Sequence, residues 1–330
     1  MTQNTLALDV KDLSLSFRSR TGRVPVLRNV SIDIEPGEIV GLVGESGSGK
    51  SVMSLQVARL LPEDSVVVES GDVTVNGIST RSATLRQMTK LRGSQIGFIF
   101  QEPMTALSPT MTVGKQLALA IRRHRGGSRR GVREQAIAAL DEVRIKNPDI
   151  VVDQYPFELS GGMRQRVVIA LAMVGDPSLL IADEPTTALD VTVQDEILKL
   201  IRQLALDHGM SVLFVSHDLA VVSNLCRRVF VLYAGEVIER GTTRQIIDAP
   251  AHPYTRALVA ALPRLDAAGD LSPIPGEPPD PRNVVEGCIF APRCPQRFDP
   301  CDLKPPTMDL QRGHHAACWL YAREEAHDAR

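Results

Sequence analysis

The 330-residue sequence contains no apolar run long enough to cross a bilayer. Its longest runs, such as "IVGLVG" and "SVLFVS", fall well short of the roughly 20 residues that a spanning helix requires. The N-terminus, "MTQNTLALDVKD", lacks the basic and then apolar layout of a secretory signal. These absences predict a chain that starts and stays in the cytosol and reaches a membrane only by docking onto a membrane partner.

The sequence also lacks a strong charge of either sign. Its formal net charge is −2, with 43% apolar and 23% charged residues, as in an ordinary globular protein. Such a balance gives no overall attraction to nucleic acid or to an acidic membrane surface. The one basic run, "RRHRGGSRRGVRE", favours a solvated loop because its glycines make it mobile. We therefore expect no nucleic-acid partner, and no internal repeat doubles the motifs described below.

The chain instead alternates short strands with helices. "ALDVKDLSLSF" and "VSIDI" alternate apolar and polar residues, which is typical of half-buried strands. "EIVGLVG", "SLLIADE" and "MSVLFVSHD" are continuously apolar, which suits parallel strands covered on both faces. In "DVTVQDEILKLIRQLALDHG", Ile197, Leu200, Ile201 and Leu204 share one helical face. The pattern predicts an open α/β sheet that binds ligands at the carboxyl ends of its strands.

The organisation along the chain predicts two parts, at residues 1–250 and 251–330. Helical signals dominate from Pro103 to about Gly175, which indicates a helical insertion between strands. "RVFVLYAGEVIERG" predicts a hairpin that turns at Ala234-Gly235. Beyond about Pro250 the proline-dense "SPIPGEPPDP" predicts an extended segment that leads to a cysteine-bearing tail.

A first glycine loop, "GESGSGKS", matches the pattern G-x-x-x-x-G-K-[ST] between a buried strand and a helix. Backbone N–H groups of such a loop converge on phosphates, and the helix N-terminus adds its dipole. Lys50 would reach the β- and γ-phosphates of a nucleotide, and the Ser51 hydroxyl would bind Mg²⁺. The candidate binding residues are Gly44, Glu45, Ser46, Gly47, Ser48, Gly49, Lys50, Ser51 and Val52.

Other strand ends carry candidate catalytic side chains. "LLIADE" ends in Asp183, placed to hold Mg²⁺, and Glu184, placed to polarise the attacking water. "FVSHD" delivers His217 to the γ-phosphate, and Gln101 follows the strand "IGFIF", where it could touch Mg²⁺ or the attacking water. The alternatives for these residues are an acidic pair at a helix start, a structural histidine and a turn glutamine.

A second glycine loop, "LSGGMRQR", lies more than a hundred residues downstream and offers Ser160, Gly161 and Gly162 at another helix start. That is a second anion-binding element. If it belongs to the helical insertion, one chain cannot easily fold it over its own nucleotide. Two chains placed head to tail could each lend it to the other.

Together these motifs resemble an ABC transporter ATP-binding subunit, in the family's order over about residues 6–245. The resemblance implies an α/β P-loop NTPase cassette with a RecA-like core, an antiparallel β subdomain and a helical subdomain. It also implies that Ser160, Gly161 and Gly162 contact the γ-phosphate bound by the partner subunit. Asp190 falls in the D-loop "ALD". Phe17 matches the aromatic residue that stacks on adenine, and an ordinary core phenylalanine is its alternative.

Several stretches narrow the resemblance to the oligopeptide/dipeptide permease ATPases, which include peptide, nickel and opine importers. They are "QEPMTALSPTMTVGKQL", "YPFELSGGMRQRV", "PTTALDVTVQ" and the tail's "AHPYTRAL" and "IPGEPPDP". Val52, where many relatives have Thr, is similar to the D-type subunit, and Phe157 replaces a common His. The resemblance implies a second ATP-binding subunit, two transmembrane permease subunits and a substrate-binding protein. It places the chain peripherally on the cytoplasmic face of the inner membrane.

Four cysteines crowd the tail with the spacing Cys288-x5-Cys294-x6-Cys301-x16-Cys318. A reducing cytosol disfavours disulfides and favours metal or redox chemistry. The family resemblance favours a [4Fe–4S] cluster. Zinc, with His314 or His315 as substitute ligands, and free thiols are the alternatives. Aromatic and basic residues between the cysteines, such as Phe290 and Arg293, leave nucleic-acid contact as a further option.

The leading functional hypothesis is an ATPase that uses Mg²⁺ and energises an importer of dipeptides, oligopeptides or similar solutes. One alternative is a non-transport ABC ATPase in DNA repair or translation. The gap between Lys50 and Ser160 is too short for the coiled coil or zinc modules usual in DNA-repair relatives. A regulatory binder without hydrolysis is the other alternative, and the intact Glu184 and His217 weigh against it.

Overall fold

The computed structural model describes residues 5–20, 22–102, 106–187, 189–262, 274–283 and 286–322. The strands are β1 (Leu8–Ser19), β2 (Gly22–Ile34), β3 (Ile39–Val43), β4 (Val66–Val75), β5 (Ile78–Ser79), β6 (Ile96–Ile99), β7 (Leu179–Asp183), β8 (Ser211–Ser216), β9 (Arg228–Tyr233), β10 (Glu236–Thr242), β11 (Thr307–Gln311) and β12 (His314–Ala317).

The described helices are α1 (Lys50–Val57), α2 (Leu85–Ser94), α3 (Val113–His124), α4 (Arg129–Glu142), α5 (Pro148–Val151), α6 (Gly161–Met173), α7 (Val191–Asp207), α8 (Leu219–Leu225), α9 (Thr243–Asp248) and α10 (Pro253–Ala260). Short 3₁₀ turns lie at Pro156–Glu158, Ala291–Arg293 and Asp299–Asp302. Within the described ranges, we find no helix that is both long and apolar enough to span a membrane.

The chain divides into two compact units. Among the described residues, the first comprises those in 5–8, 34–38 and 74–215, and the second comprises those in 9–33, 39–73 and 216–322. The chain crosses between the units several times, so neither unit is one continuous segment.

The first unit contains the parallel strands β6, β7 and β8, with β7 in the middle. Every residue of β7 and β8 is buried, which confirms the prediction from their continuous apolar runs. Helix α7 buries Ile197, Leu200 and Leu204, as its 3.6-residue periodicity predicts. Its chain reverses at Gly209 (φ 60°), where glycine permits the left-handed conformation.

Helices α3 to α6 occupy most of the region in which the sequence predicts a helical insertion. Each of the longer ones starts at a side-chain cap: Thr112 accepts from Lys115 N–H, Ser128 from Gly131 N–H and Ser160 from Met163 N–H. The limits of a separate helical subdomain stay a prediction, and its expected start, Pro103, lies outside the described residues.

In the second unit, β1 lies between β2 and β4 in one sheet. A separate series runs β3, β9, β10, β12 and β11, in which only the β3–β9 pair is parallel. The β9–β10 hairpin turns at Ala234 (φ 44°) and Gly235 (φ 83°), as predicted. The described part of the proline-dense segment, from residue 274 to 283, contains no helix or strand.

The cysteine-bearing extension contributes β11 and β12, which sequence analysis did not identify. Glu239 of β10 pairs with Ala316 of β12, so the extension continues the sheet of the second unit. The sequence signal for this hairpin was the glycine of Arg312-Gly313 between two short runs. In the structure both residues have positive φ and form the turn. The extension is therefore part of this sheet and not a free appendage.

Candidate functional site

The first glycine loop connects β3 to α1 within the second unit, in the strand–loop–helix order that the motif predicts. Gly47 (φ 79°) and Gly49 (φ 104°) have left-handed backbones, and Gly49 is the N-cap of α1. A Cβ atom on Gly44 would lie 2.1 Å from the Leu232 carbonyl oxygen. The loop therefore needs glycine at these positions, and its backbone passes close to β9.

Lys50 is buried at the start of α1 and turns back over the loop. Its ammonium group donates to the carbonyl oxygens of Gly44 (2.9 Å) and Glu45 (3.0 Å). The Ser48 hydroxyl is also buried, and within the described part of the chain it has no hydrogen-bond partner. A buried hydroxyl without a partner is costly, so the loop is suited to gain an oxygen acceptor such as a phosphate.

In the first unit, Asp183 is the buried last residue of β7, and Glu184 follows it in a left-handed conformation (φ 47°). Such a backbone costs a non-glycine residue about 1–3 kcal/mol and is common at functional sites. The Glu184 carboxylate accepts from Gln101 Nε2 (3.1 Å) and from the Thr187 hydroxyl (3.1 Å). The Glu184 N–H donates to the carbonyl of Val215 on β8 (2.9 Å).

The structure thus brings together Gln101 and Glu184, two of the three residues that the sequence suggested for catalysis. Thr187, in "PTTALD", was not identified from the sequence. The Thr187 hydroxyl makes the second hydrogen bond to the carboxylate oxygen of Glu184 that Gln101 also contacts. The Thr187 backbone N–H donates to the Glu184 carbonyl (3.2 Å). The carboxylate is therefore oriented from two sides.

The second glycine loop starts α6 in the first unit. Ser160 is the N-cap, and both Ser160 and Gly161 are exposed. A Cβ atom on Gly162 would lie 2.8 Å from Val193 Cγ1, whereas one on Gly161 would meet Leu189 Cδ2 at 3.6 Å. Gly162 therefore allows α6 to pack closely against α7, whereas the backbone of Gly161 is exposed to solvent.

The remaining candidate residues differ in exposure. Asp190 caps α7 by accepting from Val193 N–H (2.9 Å), and Ala188 of the D-loop lies outside the described residues. His217 is exposed immediately after β8, and Phe17 is half-buried on β1. Val52 is half-buried on α1, one residue beyond Ser51.

The extension reaches the first glycine loop at Glu45, a contact that sequence analysis missed. The Glu45 N–H donates to the Tyr254 hydroxyl (2.8 Å). Its carboxylate accepts from both terminal nitrogens of Arg293, at 2.7 and 3.1 Å. Arg293 is 4% exposed and Phe290 is 1% exposed, so neither is available for nucleic-acid contact.

The four tail cysteines are free thiols. Cys288, Cys301 and Cys318 are buried and Cys294 is half-buried. Burial, with smaller contributions from the neighbouring Cys301, Cys318 and Cys294, raises the pKa of Cys288 to about 11. The four thiols therefore lie in one region of the extension.

Each of the two histidines named as substitute zinc ligands has one ring nitrogen in contact with the protein. His314 Nε2 pairs with the buried Glu239 carboxylate (2.8 Å), and His315 Nδ1 contacts the Gly313 carbonyl (3.0 Å). Among the residues that the structure describes, no three His, Cys, Asp or Glu side chains are arranged to hold a metal ion.

Comparisons with known proteins agree with this geometry. Residues 27–187 match the family described as "ABC transporter", and residues 238–301 match "Oligopeptide/dipeptide transporter, C-terminal region". A dimeric, post-hydrolysis structure of the ATP-binding cassette MJ0796 with ADP and Pi is 31% identical, with a TM-score of 0.64, over 72% of this chain and 99% of that one. The fold and the motifs define a P-loop ATPase of the ABC class.

Relatives that match nearly the whole chain show to which branch of the ABC family it belongs. The probable D,D-dipeptide transport ATP-binding protein DdpD of Escherichia coli is 48% identical over 98% of this chain and 99% of that protein. The dipeptide transport ATP-binding protein DppD of Bacillus subtilis is 44% identical over 97% and 96%. The chain belongs to the ATP-binding subunits of the oligopeptide/dipeptide ABC transporter family.

Proposed function

We propose that this chain hydrolyses MgATP to drive the import of dipeptides or oligopeptides. The observation that carries the catalytic part is the Glu184 carboxylate, held by Gln101 and Thr187 at the end of a buried strand. Full-length similarity to peptide-transport ATPases, including the extension, supports the cargo class.

Within this proposal each motif has a chemical role. The loop from Gly44 to Ser51 binds the phosphates, with Lys50 on the β- and γ-phosphates. Ser51 and Asp183 are suited to Mg²⁺ because hydroxyl and carboxylate oxygens are its preferred ligands. Mg²⁺ would neutralise charge that develops on the phosphates. Glu184 polarises the attacking water, Gln101 orients Glu184 and contacts the water or Mg²⁺, and His217 hydrogen-bonds the γ-phosphate.

The second glycine loop completes the site of another ATP-binding subunit. Exposed Ser160 and Gly161 at the start of α6 supply free backbone N–H groups and the positive end of a helix dipole. Asp190 and Phe17 are assigned to the subunit interface and to the adenine ring. We infer that the partner is a sister ATPase and that the pair docks on two permease subunits. A substrate-binding protein feeds the permeases, and the chain sits peripherally on the cytoplasmic side of the membrane.

The test is Glu184→Gln. Loss of a general base lowers kcat by about 10²-fold or more, while ATP binding persists. ATP turnover and peptide uptake are measured in vesicles that contain the permease and both ATPases, and both should fall together. Glu134→Gln is the matched control because Glu134 pairs with Arg130 on an exposed surface. Turnover near wild type in Glu184→Gln would remove the role given to Glu184.

We further propose that the four tail cysteines bind a thiolate-ligated cofactor, with a [4Fe–4S] cluster ahead of zinc. The support is the chemistry of the donors: four free thiols in one short segment, three of them buried and with no disulfide among them. In the described structure they are not arranged around a common metal position, so binding would require them to move together. Anaerobic purification should give a brown protein with stoichiometric iron and sulfide that Cys301→Ser loses. Stoichiometric zinc would select the alternative, and a colourless preparation without either metal would reject the proposal.

A further inference from the structure

Glu45 is held at each of its polar groups. Its N–H donates to the Tyr254 hydroxyl, its carbonyl accepts from Lys50 Nζ, and its carboxylate accepts from Arg293. Lys50 is the residue that contacts phosphates, so Glu45 lies directly between that residue and the C-terminal extension. Glu45 occupies a variable position of the pattern G-x-x-x-x-G-K-[ST], and no motif in the sequence assigns a function to its carboxylate or to Arg293.

Arg293 is fully engaged. Its guanidinium makes five hydrogen bonds: two to the Glu45 carboxylate, one to the Tyr233 hydroxyl (3.3 Å) and two to the carbonyls of Ile274 (3.2 Å) and Pro275 (2.9 Å). It also lies 5.8 Å from the centre of the Tyr233 ring. The Glu45 carboxylate keeps the pKa of Arg293 above its usual range. A bidentate pair of this kind is strong and fixes geometry.

The electrostatic consequence concerns the nucleotide. A carboxylate within a phosphate-binding loop repels a polyphosphate if it is left unpaired. Arg293 cancels that charge and holds the carboxylate to one side. Because the Arg293 side chain is 4% exposed and the Glu45 side chain 27% exposed, loss of the arginine would leave a partly buried carboxylate that water screens only in part.

The position of Arg293 ties this contact to the cysteines. It is the last residue of the 3₁₀ turn Ala291–Arg293 and directly precedes Cys294. Cys288 N–H donates to the Cys301 carbonyl (2.9 Å), and Ala291 N–H donates to the Cys288 carbonyl (2.9 Å). A displacement of the cysteine segment therefore moves the backbone that carries Arg293.

We propose that Arg293 is a positioning residue for the phosphate-binding loop, and that the cysteine-bearing extension sets the affinity for ATP through it. The inference rests on the ATP binding of the family and not on the identity of any cofactor at the cysteines. ATP affinity is therefore a property of the extension as well as of the loop.

The experiment uses the full-length chain and a fluorescent ATP analogue. Arg293→Ala should raise the Kd about tenfold or more, as expected when one partner of a buried charge pair is removed. In the complex assembled with a sister ATPase, the value of kcat at saturating ATP should change much less than the KM. Arg297→Ala is the matched control, since Arg297 lies four residues on and pairs with Asp302 on the surface. Its Kd should equal that of wild type.

Two further variants separate positioning from folding. The double variant Glu45→Ala/Arg293→Ala should return to the Kd of Glu45→Ala alone, because the unpaired carboxylate is then gone. The double variant also keeps the proposal testable if Arg293→Ala alone fails to fold. Cys294→Ser should raise the Kd for the ATP analogue in the wild-type background. It should not raise the Kd further when Arg293→Ala is already present. Cys226→Ser, at a buried cysteine in the cassette, should leave the Kd unchanged.

Three results would overturn the proposal. One is a Kd of Arg293→Ala within twofold of wild type. Another is a loss that persists unchanged in the double variant, since it could not then come from the Glu45 carboxylate. The third is an equal effect of Cys294→Ser with and without Arg293, which would show that the extension acts by another route.

Discussion

The two glycine loops differ in what holds them. The loop at Gly44–Ser51 is fixed by Lys50 from its own helix and by Tyr254 and Arg293 from the C-terminal part of the chain. The loop at Ser160–Gly162 has one local cap, from Ser160 to Met163 N–H, and exposes Ser160 and Gly161 to solvent. The same residue types therefore form a loop with support from three elements and a loop with an open face.

The difference indicates a division of labour. A loop that holds the phosphates of a tightly bound nucleotide benefits from preorganisation, because ordering it on binding would cost affinity. A loop that serves a partner's nucleotide must stay accessible until the partner arrives. Under the proposed function, the first loop is preorganised for this chain's own nucleotide, and the second stays accessible for the nucleotide of a partner.

The largest expected effect comes from blocking the open loop. Gly161→Asp adds a carboxylate where the nearest atom to a new Cβ is 3.6 Å away, so the chain itself can accommodate it. The charge would face the partner's γ-phosphate and lower turnover by about 10²-fold, as does the loss of one transition-state donor. The ATP affinity of the isolated chain should not change. ATPase assays of the assembled complex and binding assays of the single chain check the two halves of this prediction.

Gly131→Asp is its matched control. Gly131 also lies in the first turn of a helix, at the N–H that Ser128 caps, and a new Cβ there would have ordinary contacts. The variant adds the same charge to the first turn of another helix, so turnover should stay near wild type. If both aspartates lowered turnover equally, the open loop would have no special role.

A smaller effect should appear when acid weakens the supported loop. His252 caps α10, which carries Tyr254, and its Nδ1 accepts from the Tyr254 N–H (3.1 Å). The pKa of His252 is lowered from 6.5 to about 4, because burial, with a smaller contribution from Arg256, outweighs the opposing effect of Glu239. The unfolded chain therefore binds more protons between these values, so stability is complete above pH 6.5 and falls as the pH drops towards 4. The loss is about 1.4 kcal/mol per pH unit at most.

Urea unfolding at a series of pH values measures this slope. His252→Asn keeps a capping acceptor but cannot titrate, so the fall in free energy of unfolding between pH 6.5 and 4 should flatten. The contribution of His208 to stability has the opposite dependence on pH. Burial lowers its pKa, but hydrogen bonds to Glu142 and Asp176 leave it raised overall, so its contribution is present at low pH and is lost as the pH rises. An unchanged slope in His252→Asn would contradict the assignment.

The sequence was most informative where local patterns determine structure. The apolar runs predicted β7 and β8, the 3.6-residue period predicted α7, and G-x-x-x-x-G-K-[ST] predicted the loop before α1. Each depends on backbone conformation or burial within a few neighbouring residues. The position of Gln101 at a strand end was enough to expect it near Glu184, because neighbouring parallel strands end at the same edge of a sheet.

Contacts between distant segments could not be predicted. Arg293 contacts Glu45, which lies 248 positions earlier in the chain. Strand β12 pairs with β10, and no sequence pattern in either strand identifies the other as its partner. No periodicity records such pairings, so the sequence indicated a proline-braced tail and not an added pair of strands. Histidines beside cysteines suggested zinc ligands, whereas His314 is used by the buried Glu239. The left-handed backbone of Glu184 and the role of Thr187 depend on the surrounding fold in the same way.

The central claim is that each ATP needs residues from two chains, and turnover as a function of assembly tests it most directly. Specific ATPase activity is measured for this chain at increasing concentration, and then with a sister ATPase added, alongside Gly161→Asp. The account predicts negligible turnover for the dilute single chain, a rise as the pair forms, and a much smaller rise for the variant. Full turnover by a monomer that never pairs, unaffected by Gly161→Asp, would contradict it.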